Sequence, residues 1–280
     1  MTDCRVAPFS DIKRLSLNQY TTHNWTVREA VEGCARQGIP AIGLWRDKVA
    51  DAGLKASAQH VHDSGVAVSS LCRGGMFPDT TPERRSIRID DNLRAIDEAA
   101  TLNTDTLVLV CGGIPEGSHD LDGARQMVAD GIQEILPYAI ERGIKLGIEP
   151  LHPMFGADRS VIVTLGQAND LVQQINSPNL GVIIDVYHVW WDPNVYREIE
   201  RAAGHIFGFH VDDWTVPTPD ILMGRGMMGD GIIELRRLRA AVDQAGYQGY
   251  IEVEIFNQAI WDTPGDQVLA TMRERYLAHV

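Results

Sequence analysis

Residues 145–149 read KLGIE, a short run whose apolar body ends abruptly in a carboxylate. The construction returns at 181–185 (GVIID), 206–210 (IFGFH) and 250–254 (YIEVE), each time finishing on an ionisable side chain. Four similar runs precede them, at 15–18 (LSLN), 41–45 (AIGLW), 66–71 (VAVSSL) and 106–110 (TLVLV). Apolar runs of this length between polar loops read as buried strands, and the stretches separating them carry helical spacing. Eight such units in 280 residues leave roughly 35 residues each, the size of a strand, a helix and two loops. The expected fold is therefore α/β, a single (β/α)8 TIM barrel forming one domain over residues 1–280. A doubly wound sheet would require a Gly-rich phosphate turn after an early strand, and the sequence has none.

Helix punctuation falls between the runs. Thr26-Val27-Arg28-Glu29 has capping-box spacing and predicts a helix to about Gln37, closed by Gly38. Thr81-Pro82 places a cap before a first-turn proline, and Thr164-Leu165-Gly166-Gln167 repeats the capping-box spacing. Gly53, Gly65, Gly143 and Gly246 sit where helices should end.

Composition narrows the function. Hydrophobic residues make up 44% of the chain, enough for a large core, and 25 Lys+Arg against 38 Asp+Glu leave a formal net charge of -13. That balance argues against nucleic acid or an anionic membrane as partner, and no apolar run approaches the length of a membrane span. The start, Met1-Thr2-Asp3-Cys4-Arg5, lacks the pattern of a secretory signal, so a cytoplasmic protein is expected. Cysteines at 4, 34, 72 and 111 form no C-x-x-C pair and read as reduced thiols filling the core.

In a parallel barrel the carboxyl ends of the strands converge on one rim, where active sites of this fold lie. Glu149, Asp185, His210 and Glu254 end successive strands and should face one point. One acidic residue ending a strand is ordinarily a solvated loop residue or a helix cap; four on successive strands form a pattern. Three carboxylates and an imidazole gathered there would repel one another unless a cation sat among them. The oxygen-rich set suits one divalent cation, Mn²⁺ ahead of Mg²⁺, Co²⁺ or Zn²⁺, with positions open for substrate oxygens. Glu252 shares a strand face with Glu254 and competes with it as the fourth ligand.

The segments IEPLHP (148–153), DVYH (185–188), GFHVDDW (208–214), GRGMMGDGIIEL (224–235) and YQGYIEVEIF (247–256) resemble the sugar phosphate isomerase/epimerase family of xylose isomerase-like TIM barrels. That family includes ketose 3-epimerases, hydroxypyruvate isomerase, inosose dehydratase and isomerase, and dehydroshikimate dehydratase. The resemblance implies Glu149, Asp185, His210 and Glu254 as metal ligands, with the Y-x-G-x-x-x-x-E pattern favouring Glu254 over Glu252. It also implies that Glu149 and Glu254 are the acid/base pair and that His188 and Arg225 bind substrate oxygens. The implied chemistry is proton transfer through a metal-stabilised enediolate of a small ketose, keto-polyol or cyclitol. Returning the proton to the opposite face gives an epimer, returning it to the adjacent carbon gives an isomer, and loss of a β-hydroxyl makes the enzyme a lyase. A barrel that keeps the metal as a non-catalytic partner subunit is a further reading. The multi-zinc apurinic endonucleases are a poor match, since they need more rim histidines and a basic surface.

Other residues are expected around this centre. Arg46 and Arg73, following strands two and three, are candidates for a substrate carboxylate or phosphate, each also able to pair with a rim acid. Gly74 and Gly75 suit a close approach to ligand or a turn. His152 and the pair Trp190-Trp191 are candidate pocket walls, and Asn18, Gln19 and His23 could complete the site. The Pro- and Gly-rich segment from Asp212 to Gly231 is long enough to form a lid carrying Arg225, with Met223, Met227 and Met228 as its apolar cover. The partner is a small polyhydroxy carbonyl compound, and a homo-oligomer is expected.

Overall fold

In a computed structural model that describes residues 7–280, the eight apolar runs close into a parallel barrel. Its strands are β1 (Leu15–Asn18), β2 (Ala41–Trp45), β3 (Ala67–Gly75), β4 (Thr106–Val110), β5 (Lys145–Ile148), β6 (Leu180–Asp185), β7 (Ile206–Val211) and, last in the chain, β10 (Ile251–Val253). Between β7 and β10 lies a small antiparallel ribbon of β8 (Asp213–Trp214) and β9 (Arg225–Gly226). Each barrel strand pairs with its sequence neighbours, and β1 pairs with β10 to close the circle, which leaves no open sheet edge. Val, Ile and Leu dominate because outward-facing side chains are covered by helices and inward-facing ones fill the barrel.

The caps act as their sequences predict, with one difference. Thr26 and Glu29 satisfy each other's backbone donors at the start of the helix Val27–Gln37, which Gly38 closes in the left-handed conformation. Such a cap is worth about 1 kcal/mol. Thr81 caps the helix Pro82–Thr101. At Thr164 only half of the expected box forms, because the Gln167 side chain accepts from the Val163 amide rather than from Thr164 itself.

β3 runs past its expected end at Leu71 to Gly75, after a register shift against β4 between Cys72 and Gly74. Gly75 has φ 101 and lies so close to Val110 that a Cβ would strike that carbonyl. Gly74 and Gly75 are therefore small to let β4 and Asn92 approach, and not to admit ligand. Asn92, buried on the helix Pro82–Thr101, accepts from the Gly75 amide at 2.6 Å and donates to its carbonyl at 2.8 Å, clamping the strand end.

Cys34, Cys72 and Cys111 are free and buried, and burial pushes the thiols of Cys34 and Cys111 up to about 12. Cys4 and the N-terminal stretch Met1–Arg5 lie outside the described residues. Among the described residues no helix is long and apolar enough to cross a membrane.

Candidate metal centre

Strand parity decides what enters the barrel. Residues two apart share a face, so Gly208 and His210, Ile183 and Asp185, and Glu252 and Glu254 point inward as successive layers. A small apolar layer of Cys72, Val108 and Ile183 fills the middle of the barrel. Above it the structure brings Glu149, Asp185, His210 and Glu254 together, each buried and each offering one ligand atom, all within 4.8 Å of one another. Glu149 and Glu254 lie one residue past β5 and β10, yet their amides still bond to Leu109 and Val211 of the neighbouring strands. These carboxylates are thus held by the barrel wall.

The cluster is incomplete as a hydrogen-bonded network. His210 Nδ1 stands 3.3 Å from Glu149 Oε1 and 3.6 Å from Glu254 Oε2, but without hydrogen-bond alignment, so Glu149 Oε1 and His210 Nδ1 are buried with no partner. Orphaned buried polar atoms are costly, and two aimed into a nest of carboxylates are suited to ligate a cation. Burial raises the Glu149 carboxyl, and burial likewise raises Asp185 to about 7. Burial also opposes ionisation of Glu254, but Arg225 and His210 outweigh it and hold that carboxyl well below the usual range. His210 is disfavoured as a cation by burial, yet Glu252, Glu149 and Glu254 keep it well above the ordinary imidazole value.

Glu252 sits one layer deeper than Glu254 and is spoken for. Its carboxylate accepts from Asn18 Nδ2 at 2.8 Å, from Ser69 Oγ at 2.8 Å and from Ser70 Oγ at 3.0 Å, and it faces His210 Nε2 at 3.8 Å. Gly43 makes room for it, since a Cβ there would run into the carboxylate. Asn18 joins the two layers: its amide also donates to Glu254 Oε1 at 3.1 Å, while its carbonyl accepts from the Trp45 indole at 2.8 Å. Gln19 is buried beside it, its side-chain oxygen accepting from the Trp45 amide at 3.3 Å.

Arg225, on β9, reaches into this cluster and is itself buried. Its Nη1 is shared among Asp185 Oδ2 at 2.9 Å, Asp212 Oδ2 at 3.0 Å and Glu254 Oε2 at 3.0 Å. The guanidinium lies between the rings of Tyr187 and Phe256, at 4.6 and 4.9 Å. Asp212, which sequence reasoning placed only at the start of a lid, is a fifth buried carboxylate; burial and Asp185 push it well above its ordinary value. His188 lies beside Arg225, with Nε2 3.2 Å from Nη2, and burial together with the Arg225 charge keeps the ring neutral. Its Nδ1 faces the His152 amide at 3.1 Å, and because a neutral ring accepts at only one nitrogen, only one of these two N–H groups can donate to it.

A cavity of about 590 Å³ opens over Glu149, Glu254, His188 and Arg225, and Arg73 lines it. Its walls are Tyr20, Trp45, Phe155, Phe256 and Trp261, with Leu222 and Met223 from the segment between β8 and β9. Several expected residues are elsewhere. Arg46 is bound by Glu98 at 2.5 Å and by Asp91 at 2.9 Å on the helix Pro82–Thr101, which takes its charge away from the site. Trp190 does not line the cavity; it packs on Trp214, ring centres 5.5 Å apart. His152 stacks on Trp214 at 5.2 Å and serves the site through its backbone. His23 stacks on Trp261 at 4.2 Å, behind the wall. Met227 and Met228 are buried in the main core, which leaves Met223 as the lid methionine. The aromatic wall from Tyr20, Phe155, Phe256 and Trp261 was missed; only the nearness of these residues to strand ends hinted at it.

An eight-stranded parallel barrel with a buried carboxylate and imidazole cluster at the carboxyl ends of its strands defines an α/β barrel with a candidate metal centre. Residues 31–276 match the xylose isomerase-like TIM barrel, and the chain belongs to that family. Protein SMc04130 from Sinorhizobium meliloti 1021 is 48% identical, with a TM-score of 0.93 over 95% of this chain and 98% of that one. The 3-dehydroshikimate dehydratase of Pseudomonas putida (strain KT2440) is 28% identical over 86% of this chain, which spans only 38% of that protein's length. The inosose isomerase of Halalkalibacterium halodurans is 25% identical over 93% of this chain and 94% of its own.

Proposed function

We propose that the chain is a divalent-metal-dependent isomerase or epimerase of a small ketose, keto-polyol or cyclitol, working as one barrel domain. The observation that carries this reading is the convergence of Glu149, Asp185, His210 and Glu254 within 4.8 Å, with Glu149 Oε1 and His210 Nδ1 lacking any partner. Those four residues would hold the cation, and their oxygen-rich chemistry favours Mn²⁺. When bound, it supplies Lewis-acid stabilisation of negative charge on adjacent carbonyl and hydroxyl oxygens of the substrate.

The chain's own task is to move a proton. Glu149 and Glu254 are the acid/base pair, one taking the substrate proton and the other returning it, and Arg225 beside Glu254 holds that carboxylate in place. Two carboxyls flanking one carbon invert it; a proton returned to the neighbouring carbon moves the carbonyl. Asn18 fixes the Glu254 carboxylate through its amide. His188 and Arg225 lie 3.2 Å apart at the cavity, and together they would bind a substrate oxygen placed beside them. The aromatic wall excludes water and packs against C–H faces.

Glu149→Gln and Glu254→Gln test the assignment: each should lower kcat by about 10²–10⁴ while the fold persists. Full activity in either variant with metal bound would remove the two-base mechanism. A dehydratase acting through the same enediolate is the second reading, supported by the 28% identity to a dehydroshikimate dehydratase. Product mass separates the two, because isomers conserve mass and dehydration loses water.

A further inference from the structure

The cavity above the metal centre holds two arginines with nothing to bind. Arg73, half-buried at the end of β3, and Arg159 both line it. Among the described residues neither guanidinium has an ion-pair or hydrogen-bond partner, although the neighbouring arginines Arg46 and Arg225 are each shared by two or more carboxylates. Asp158 lines the same cavity beside Arg159 and does not pair with it. Arg159 instead lies over the Phe155 ring at 5.6 Å, one wall of the cavity.

The arginines are also near each other. Burial disfavours the charge on Arg73, and the Arg159 charge adds to the effect, while Glu149 acts in the opposite direction. Arg73 is partly withdrawn from water and Arg159 is exposed at the cavity rim, so two like charges line one cavity with no carboxylate among the described residues paired to either, an arrangement that a bound anion would relieve. The β3 backbone that carries Arg73 is clamped by Asn92, so its position is set before any ligand arrives. Planar forks of this kind suit the two oxygens of a carboxylate or phosphate.

We propose that Arg73 and Arg159 form an oxyanion-binding subsite, so that the substrate is an anionic polyhydroxy carbonyl compound rather than a neutral sugar or cyclitol. Its carboxylate or phosphate sits between the two arginines, while its carbonyl and hydroxyl oxygens lie over Glu149 and Glu254. The proposal rests on the metal-centre reading for the second half of that pose, but binding of the anion can be measured without turnover.

The test is calorimetric titration of Mn²⁺-loaded protein with 3-dehydroshikimate, ribulose 5-phosphate and inosose, which carry a carboxylate, a phosphate and no charge. Arg73→Met, which keeps the aliphatic stem, and the exposed-site variant Arg159→Ala are titrated beside the wild type, with metal content and melting temperature recorded for each. At least one anion should bind more tightly than inosose, weaken with added salt and lose about tenfold or more in affinity in either variant, while inosose affinity stays within about twofold. Preference for the carboxylate or the phosphate identifies the source of the oxyanion. Inosose binding as tightly as both anions, no binding of either anion at millimolar concentration, or anion affinity unchanged in both variants would overturn the proposal. Failure of the metal reading shows separately, as loss of Mn²⁺ content or as turnover that survives Glu149→Gln.

Discussion

Loading the centre with a divalent cation should expel protons, and the structure sets the scale. Asp185 is raised by burial to about 7, Glu149 is raised by the same cause, and His210 is held protonated by three carboxylates, whereas Glu254 stays ionised. A protonated carboxyl or imidazolium is no ligand, so affinity must fall as the pH falls. With a value of about 7, Asp185 is ionised in roughly one molecule in ten near pH 6 and in nine of ten near pH 8, a change of about tenfold in apparent Kd. Glu149 and His210 add in the same direction. The assay is competition for Mn²⁺ between metal-free protein and a chelating indicator across that range, with proton release followed in weak buffer. The same groups govern stability of the metal-free protein. A carboxyl raised in the folded state contributes stability below its unfolded value, near 3.8 for Asp185, and loses it as the pH rises through about 7. Metal-free protein should therefore melt lower near pH 8 than near pH 6 on account of this cluster, while the gain in melting temperature from Mn²⁺ grows over the same range. A pH-independent Kd with no proton release would refute the reasoning.

Two further substitutions probe the layer beneath the ligands. Glu252→Gln removes the negative charge facing His210 Nε2 and should weaken metal binding by about ten- to hundredfold, with activity recovered at saturating Mn²⁺; unchanged affinity would show that the buried carboxylate does not orient the imidazole. Gly43→Ala places a methyl against the Glu252 carboxylate and should cost about 1–3 kcal/mol, read as a lower melting temperature, with a parallel loss of metal affinity. A stable variant with normal metal uptake would mean that Glu252 has room to move.

The barrel was legible because each strand is a short apolar run between helix caps, and seven of the eight expected runs coincide with observed strands to within a residue at both ends. β3 was underestimated: its last residues, Cys72-Arg73-Gly74-Gly75, look like a loop, and only pairing with β4 and the Asn92 clamp make them strand. Arg46 and Arg73 looked equivalent in sequence, each following a strand of the same rim. What separates them is the helix Pro82–Thr101, which presents Asp91 and Glu98 to Arg46 and no partner to Arg73. Arg159 left no sequence signal and the aromatic wall only the nearness of its residues to strand ends, since the paths of the connecting segments leave no periodicity to read.

Sequence alone determined the fold and the four residues at the centre, because a parallel barrel brings the ends of successive strands to one rim whatever the loops do. Strand parity alone left Glu252 and Glu254 as rivals on one face, with the family resemblance favouring Glu254, and depth in the barrel gives the physical reason: one layer places Glu252 among Asn18, Ser69 and Ser70, and the next places Glu254 with the other three. Tertiary structure also decided which charges are already matched. A guanidinium's role depends on the carboxylates within reach of it, and that neighbourhood exists only once distant segments have packed together.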